Sequence, residues 1–363
     1  MTKARQLADL GNAYDNGALS NRNMIINGAM RVAQRGTGAF TANGDRPVDR
    51  WQMISNATDF TTTQSSTVPV GKGFTKSVKI QPTATKSPSS GTYARIGYSI
   101  EGYDGASLCW GTSGAKSATI SFWVRASVTG IYSIGIKNAS ANRSICLEYT
   151  IDIADTWEYK TITFSGVTDG TWEQTNSRFC YIDVWQAGQG SQTSTIGTWQ
   201  NQNTNMSSNQ VNLFTSTSNT FYLTGFQMEV GDTATPFEHR SYGEELALCQ
   251  RYCYVIQQQN NSENANASAC NGTYYSASSF YGVLVFPTTM RVTPTMAVPT
   301  VTNGYRLYSA TGADLIDGSG FGLQSANKDN FCIYVPSVSS TAGFGGWMEL
   351  IVAGAKLTFD AEL

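Results

Sequence analysis

The stretch Thr119-Ile120-Ser121-Phe122-Trp123-Val124-Arg125 consists largely of β-branched and aromatic residues, and Trp123 interrupts its otherwise polar face. Such a run predicts a β-strand that is buried on both faces. Similar runs follow at residues 131–136, 143–149 and 157–164, and turn residues such as Thr168-Asp169-Gly170 separate the strands. No helical period intervenes. The sequence therefore predicts an antiparallel sandwich or jelly roll in this part of a mainly β protein.

The composition of the whole chain is rich in aromatic residues and poor in charged ones. Of the 363 residues, 12% are aromatic and 14% are charged, and the net charge is −2. Ordinary soluble proteins carry about 25% charged residues. A polar but uncharged surface suits hydrogen bonding to sugars, and it equally suits a plain β-sandwich with threonine-rich faces. Because no cluster of Lys and Arg occurs, nucleic acid is not expected as a partner.

Sequence signals for export, membrane insertion and metal binding are absent. The first residues lack the apolar core of a secretory signal, and no apolar run reaches the roughly 18 residues of a membrane span. The seven cysteines never form a C-x-x-C pair, which argues against a disulfide framework or a zinc site. Cys109, Cys146, Cys180 and Cys332 are predicted to be buried. The single histidine, His239, is predicted to be structural, and we expect no metal and no cofactor.

The chain divides into five segments. Residues 1–22 form an N-terminal anchor helix, in which Ala4, Leu7, Ala8 and Leu10 share one face. A helix of about ten residues is marginal alone, so it either docks on a partner surface or is a disordered terminus. The other segments are an extended arm at 23–44, the jelly roll at 45–240, a connecting helix at 241–260 and a distal β-domain at 261–363.

The connecting helix begins at a capping box. Ser241 is placed as the N-cap, and Glu244 lies three residues later. The apolar residues of the helix then recur at the spacing of a coiled-coil seam, and they are Leu246, Cys249, Cys253 and Ile256. The seam lasts fewer than two heptads. It fits a trimer axis and fits packing on a neighbouring domain equally well.

Several motifs resemble phage tail-fibre and appendage proteins. The N-terminal motifs are Asn23-Met24-Ile25-Ile26-Asn27-Gly28-Ala29-Met30 and Asp49-Arg50-Trp51. The most specific ones are Phe221-Tyr222-Leu223-Thr224-Gly225-Phe226-Gln227-Met228-Glu229-Val230-Gly231 and Thr235-Pro236-Phe237-Glu238-His239-Arg240-Ser241. The resemblance covers about residues 4–254. It implies a carbohydrate-binding-module-like jelly roll, a homotrimer, a virion location in the tail and docking on other tail or baseplate proteins through the N-terminus.

The function predicted on these grounds is attachment to a virion and binding of host surface polysaccharide, without enzymatic activity or membrane insertion. The chain would be made in the host cytoplasm and released by lysis. A polysaccharide depolymerase on the same scaffold and a purely structural spacer are the alternatives. Because sugar rings stack on exposed aromatic faces, the candidate glycan-binding residues are Trp199 in its polar loop, together with Tyr274, Tyr275 and Tyr305 of the distal domain.

Overall fold

The computed structural model describes residues 2–5, 21–56, 59–87, 93–188, 192–257 and 266–363. The chain forms two compact units, Met1–Glu245 and Leu246–Glu362. Antiparallel sheets build both units, and the helices of the described ranges are short. The predicted mainly β fold class is thereby confirmed.

The first unit is a sandwich of two five-stranded sheets. Its strands are β1 (Trp51–Ser55), β2 (Phe60–Ser65), β3 (Ser77–Pro82), β4 (Tyr93–Glu101), β5 (Ala118–Ala126), β6 (Gly130–Asn138), β7 (Ser144–Ile151), β8 (Glu158–Phe164), β9 (Arg178–Gly188) and β10 (Phe221–Val230). One sheet has the order β1-β4-β9-β6-β7 and the other β2-β3-β10-β5-β8. Because the chain crosses repeatedly between the sheets, the arrangement is that of a jelly roll.

The sandwich core follows from the alternation along each strand. On β5, Ile120, Phe122 and Val124 are fully buried between the sheets. Trp123 and Arg125 point the other way and are partly exposed. The expectation that β5 is buried on both faces is therefore wrong at these two positions, because β5 belongs to a sheet whose outer face is partly open there.

The segment predicted as an extended arm packs onto the sandwich. Ile25 and Met30 lie in its core, and the Met24 amide donates to the Met228 carbonyl over 3.0 Å. Asn27 adopts a positive φ of 58°, and its side chain bonds to both backbone groups of Val32. The Asn-Gly pair of the motif is thus a turn that folds the segment back on itself.

The segment that follows the last sandwich strand bonds to the segment that precedes the first one. The Arg240 guanidinium donates to the carbonyls of Asn23 and Ile25. The backbone N–H of Asn27 donates to the Glu245 carboxylate, which lies 3.5 Å from the Arg240 guanidinium. The two ends of the sandwich sequence are therefore adjacent in the first unit.

The connecting helix is shorter than predicted. It spans Tyr242–Gln250, and the Glu244 amide donates to the Ser241 hydroxyl, as the capping box requires. Cys253 and Ile256 lie on the next strand, β11 (Cys253–Gln257). The predicted helical seam is therefore wrong at these two residues, and only Leu246 and Cys249 lie on the helix. The β-branched and aromatic residues after Tyr252 pair with another strand instead of continuing the helix.

The second unit pairs a small sheet with a large one. Its further strands are β12 (Ala267–Ser276), β13 (Ser279–Val285), β14 (Thr295–Ala297), β15 (Tyr305–Ser309), β16 (Gly312–Ile316), β17 (Gly322–Ala326), β18 (Asn330–Pro336), β19 (Gly345–Leu350) and β20 (Lys356–Asp360). The sheet orders are β11-β20-β14 and β16-β15-β19-β12-β13-β18-β17. One core of the second unit includes residues of both sheets, such as Phe359, Ile333 and Met348.

The N-terminal anchor lies largely outside the described residues. Ala4 falls in a helical stretch at residues 3–5 and is exposed, whereas Leu7, Ala8 and Leu10 are not described. Within the described ranges, no helix combines the length and the apolar character that crossing a membrane requires.

Candidate functional site

Two of the predicted glycan-binding tyrosines are core residues. Tyr274 is 1% exposed and Tyr305 is 0% exposed, and both pack in the core of the second unit. The Tyr305 hydroxyl donates inside the same unit, to the carbonyl of Pro299 or of Lys356. A sugar cannot reach either ring, so these two predictions are wrong. Both side chains point toward the core, because pairing with strands that are distant in sequence sets the register of β12 and β15.

Trp199 is packed within the sandwich unit. Its ring lies 5.3 Å from that of Trp110 and 5.6 Å from that of Trp172, in edge-on contacts. Its indole N–H donates to the Ser165 carbonyl over 2.9 Å. Trp199 thus anchors its polar loop on the sandwich, and only part of the ring remains exposed.

Tyr275, in contrast, belongs to an exposed aromatic surface. It is 77% exposed and lies on β12, where residues alternate between the core and solvent. Its ring lies 5.2 Å from that of Tyr281 on β13, which lies 5.5 Å from that of Tyr334 on β18. Three tyrosines from three neighbouring strands are therefore in contact on the outer side of the seven-stranded sheet.

A stacked pair extends this surface across β19 and β15. Trp347 and Tyr308 are opposite one another in register, and their ring centroids are 4.5 Å apart at an angle of 21°. Trp347 is 43% exposed. We call this surface the ring face, and its members are Tyr275, Tyr281, Tyr308, Tyr334 and Trp347.

Polar groups lie beside these rings. Arg306 is 2.8 Å from Glu349 in an ion pair, and its guanidinium lies 4.7 Å from the centre of the Tyr308 ring. Exposed Asn271 is opposite Trp347 in register, and exposed Thr273 is opposite Tyr281. Amide, hydroxyl, guanidinium and carboxylate groups are the donors and acceptors that can read sugar hydroxyls.

This combination suits a carbohydrate. A pyranose presents C–H groups on its faces and hydroxyl groups around its edge. Tyr and Trp rings offer a large, rigid apolar surface for the face, with a polar atom at one end. The ring face can therefore stack a sugar, while the neighbouring polar side chains bond its hydroxyls.

Sequence reasoning found only part of this site. Of the ring face, only Tyr275 is among the four candidate residues chosen from the sequence, whereas Tyr281, Tyr308, Tyr334 and Trp347 are not. The alternation of Phe331, Ile333 and Val335 with the residues between them was a usable signal, because it places Tyr334 on the opposite side from the core. Which strands lie side by side was not readable from the sequence.

A depolymerase would need acidic residues, and the sandwich unit offers five on or beside its strands, each with a neighbouring partner, namely Asp152, Asp155, Glu158, Asp183 and Glu229. Asp152 and Glu158 both pair with Lys160, and Glu229 accepts bonds from Thr235. Asp155 pairs with Arg125 at the surface. A glycosidase needs two carboxyl groups that face each other across a sugar. Each of these four carboxylates instead has a partner within the protein.

Asp183 is the fifth carboxylate, and it is buried on the first sandwich sheet. It lies 3.0 Å from Arg95 and 3.6 Å from Lys137, and it accepts a bond from Asn205 over 2.9 Å. Burial raises the pKa of Asp183, but the two cations and the Asn205 bond outweigh that effect and hold the pKa below its usual range. The cluster is a buried ionic network, which accounts for Asp183 in structural terms.

The other reactive residue types also have structural contacts. His239 packs against the rings of Phe74 and Phe237 at 5.1 and 4.9 Å, and burial lowers its pKa. Cys146 and Cys180 are buried, whereas Cys109 and Cys332 are half-buried. Burial raises the pKa of the Cys146 thiol to about 12. Among the described residues, no group of three or more possible ligands is arranged to hold a metal.

Comparisons with known proteins give structural similarities only, because no family model and no curated protein matches the chain. The enzymatically active domain of bacteriophage CBA120 tailspike protein 4 is 14% identical, at a TM-score of 0.33, over 58% of this chain and 22% of that one. TmCBM61 in complex with β-1,4-galactotriose is 9% identical, at a TM-score of 0.30, over 58% of this chain and 99% of that one.

A third similar structure is the CBM22-1–CBM22-2 tandem domain of Paenibacillus barcinonensis Xyn10C. It is 9% identical, at a TM-score of 0.30, over 95% of this chain and 100% of that one. At these identities and TM-scores the likeness carries no argument about function, which has to come from the residues of the chain itself.

Proposed function

We propose that this protein is a phage tail-fibre or baseplate-appendage subunit that binds a host cell-surface glycan through the ring face. The observation that carries the glycan-binding part is the grouping of five aromatic side chains on the outer side of one sheet. Solvated aromatic surface is costly unless a ligand or partner covers it. Rings that stack beside amide and charged groups suit a sugar better than they suit a purely apolar partner.

The polar groups favour a ligand rich in hydroxyls. The Glu349 carboxylate accepts bonds from Arg306, over 2.8 Å, and from the Trp347 indole, over 3.4 Å. These bonds fix the orientation of the indole plane before any ligand arrives. A preorganised platform binds more tightly because fewer side chains lose freedom on binding.

The virion part of the proposal rests on the resemblance of the N-terminal and sandwich motifs to tail-fibre and appendage proteins. On this proposal the N-terminal segment docks on another tail or baseplate protein, and the chain assembles as a homotrimer. Three ring faces on one particle would raise a weak single-site affinity through high effective concentration. The chain is proposed to hold no catalytic site.

A glycan array probed with the purified full chain tests this function. We expect binding to a subset of bacterial surface polysaccharides, and Trp347→Ala or Tyr308→Ala should weaken it by roughly tenfold, since a stacked aromatic contact is worth on the order of 1 kcal/mol or more.

Tyr103→Ala is the matched control for this test, because Tyr103 is 62% exposed on the sandwich unit and should not affect binding. Absence of binding to every glycan would contradict the proposal and favour a spacer. Release of reducing sugar from a bound polysaccharide would instead identify a depolymerase.

A further inference from the structure

The second sandwich sheet carries another group of outward side chains. Lys79, Tyr222 and Arg125 are neighbours in register across β3, β10 and β5. Trp123 on β5 is opposite Tyr159 on β8, with ring centroids 5.3 Å apart. We call this surface the cation–aromatic face, and its members are Lys72, Lys79, Trp123, Arg125, Trp157, Tyr159 and Tyr222.

Each cation of this face lies over an aromatic ring. The Lys72 ammonium is 5.4 Å from the centre of the Trp123 ring. The Tyr222 ring has Arg125 at 5.5 Å and Lys79 at 6.0 Å, and the Trp157 ring lies 6.2 Å from it. Contacts of this kind are attractive and hold long, flexible side chains in place. These ring contacts therefore order the cations without themselves neutralising the positive charge.

The charges on the cation–aromatic face do not balance. Asp155 forms an ion pair with Arg125 at 3.3 Å, and its side chain is 54% exposed. Within the described part of the chain, Lys72 and Lys79 have no ion pair. Asp152 and Glu158, which are close in sequence, are occupied by Lys160. Counting Lys160 and its two carboxylates as well, four cations meet three carboxylates, so the surface keeps a net positive charge and attracts anions.

We infer that the cation–aromatic face binds an acidic polysaccharide, with its carboxylates on Lys72, Lys79 and Arg125 and its sugar rings against Tyr159 and Trp157. The row from β3 to β8 crosses four strands, or roughly 14 Å. A ligand must therefore be extended and carry repeated charges to use all of it. Nucleic acid is less suited, since binding a phosphate backbone draws on larger groups of cations. This inference does not depend on glycan binding at the ring face.

The test uses the full chain and a matched pair of polymers. Polygalacturonate carries a carboxylate on each sugar, and fully methyl-esterified polygalacturonate has the same backbone without charge. We expect the first to bind and the second to bind at least about tenfold more weakly, because charged hydrogen bonds are the stronger ones. Equal binding of the two polymers would overturn the inference.

Asp155→Asn gives a gain-of-binding variant. Asp155 has a positive φ of 54°, which Asn also tolerates, so the backbone is preserved. Removing this carboxylate frees Arg125, and polygalacturonate should bind about twofold or more tightly. Unchanged or weaker binding by a folded Asp155→Asn protein would contradict the inference.

Loss-of-binding variants complete the set. Lys79→Gln and Trp157→Ala should each weaken polygalacturonate binding several-fold. Tyr103→Ala serves as the exposed aromatic control, and circular dichroism checks the fold of every variant. If single-stranded DNA bound as tightly as polygalacturonate, or if Lys79→Gln had no effect, the assignment to an acidic polysaccharide would be wrong.

Discussion

Gly28 shows how a single residue fixes the entry into the sandwich. Its carbonyl accepts the Phe226 amide over 3.0 Å, and a Cβ built on Gly28 would lie 2.1 Å from the Phe226 carbonyl oxygen. No side chain fits at that distance. The Asn-Gly pair of the motif therefore combines a turn at Asn27 with a close backbone approach at Gly28.

Gly28→Ala should consequently destabilise the sandwich by roughly 1–3 kcal/mol, as overpacking a tight site does. Urea denaturation of the full chain measures the change in free energy of unfolding. Gly38→Ala is the control, because a Cβ at Gly38 meets nothing within 4 Å. If the two variants were equally stable, the close approach between Gly28 and the Phe226 carbonyl would not limit the side chain at this position.

The buried Asp183 network has a consequence for stability as a function of pH. Because the pKa of Asp183 is lowered in the folded state, its ionised form contributes stability above the unfolded pKa of about 3.9. That contribution is lost as the pH falls through the lower, folded pKa. Removing the carboxylate leaves Arg95 and Lys137 buried without their shared partner.

Asp183→Asn should therefore cost about 3–5 kcal/mol at pH 7, and the difference from the unsubstituted chain should shrink below about pH 4. Denaturation midpoints measured from pH 7 to pH 3 check both parts. Asp169→Asn is the matched control, since the Asp169 side chain is 60% exposed in its pair with Arg143. A constant difference across the pH range would contradict the assigned pKa direction.

The residues also show why the sequence predicted the fold better than the site. Strands such as β5 were predictable because burial of alternate β-branched and aromatic residues is a local pattern. Tyr274 and Tyr275 are adjacent, and only the register of β12 against β13 and β19 decides which one faces the core. The ring face joins residues from five strands, and no local pattern records that.

At the scale of elements, the connecting helix and β11 show a limit of periodicity. The stripe of Leu246, Cys249, Cys253 and Ile256 fits a helix, but the last two residues pair with β20. Runs of Cys, Tyr, Val and Ile satisfy both a helical stripe and a buried strand over so short a span. Long-range pairing decided between the two.

The segment before Asn23 is the element on which the virion proposal depends. Within the described residues at this end of the chain, Arg22 and Asn23 bond to Pro236 and Glu238 of the sandwich unit. We propose that deleting residues 1–21, which keeps these two bonds, leaves the melting temperature nearly unchanged, while the truncated chain no longer joins virions. Thermal unfolding and incorporation into particles are the two measurements. A truncated chain that still joined virions would place docking elsewhere.

At the scale of the whole molecule, we predict a homotrimer. The helical seam does not continue beyond Gln250, so subunit contacts need another apolar surface. Val283 and Val285 on β13 are 60% and 70% exposed, but they lie on the same side of the sheet as the ring face, where a subunit contact would cover the proposed glycan site.

Sedimentation velocity of the full chain at micromolar concentration tests the assembly. The expected result is a single trimeric species. A stable monomer of the unsubstituted chain would contradict the prediction.

The central claim is that the ring face holds a glycan. Titration calorimetry of the full chain with a polysaccharide that it binds measures this contact, with Trp347→Ala and Tyr103→Ala compared under the same conditions. The account predicts that Trp347→Ala loses roughly tenfold in affinity while its melting temperature and the affinity of Tyr103→Ala stay unchanged. Undiminished affinity of a folded Trp347→Ala protein would contradict it.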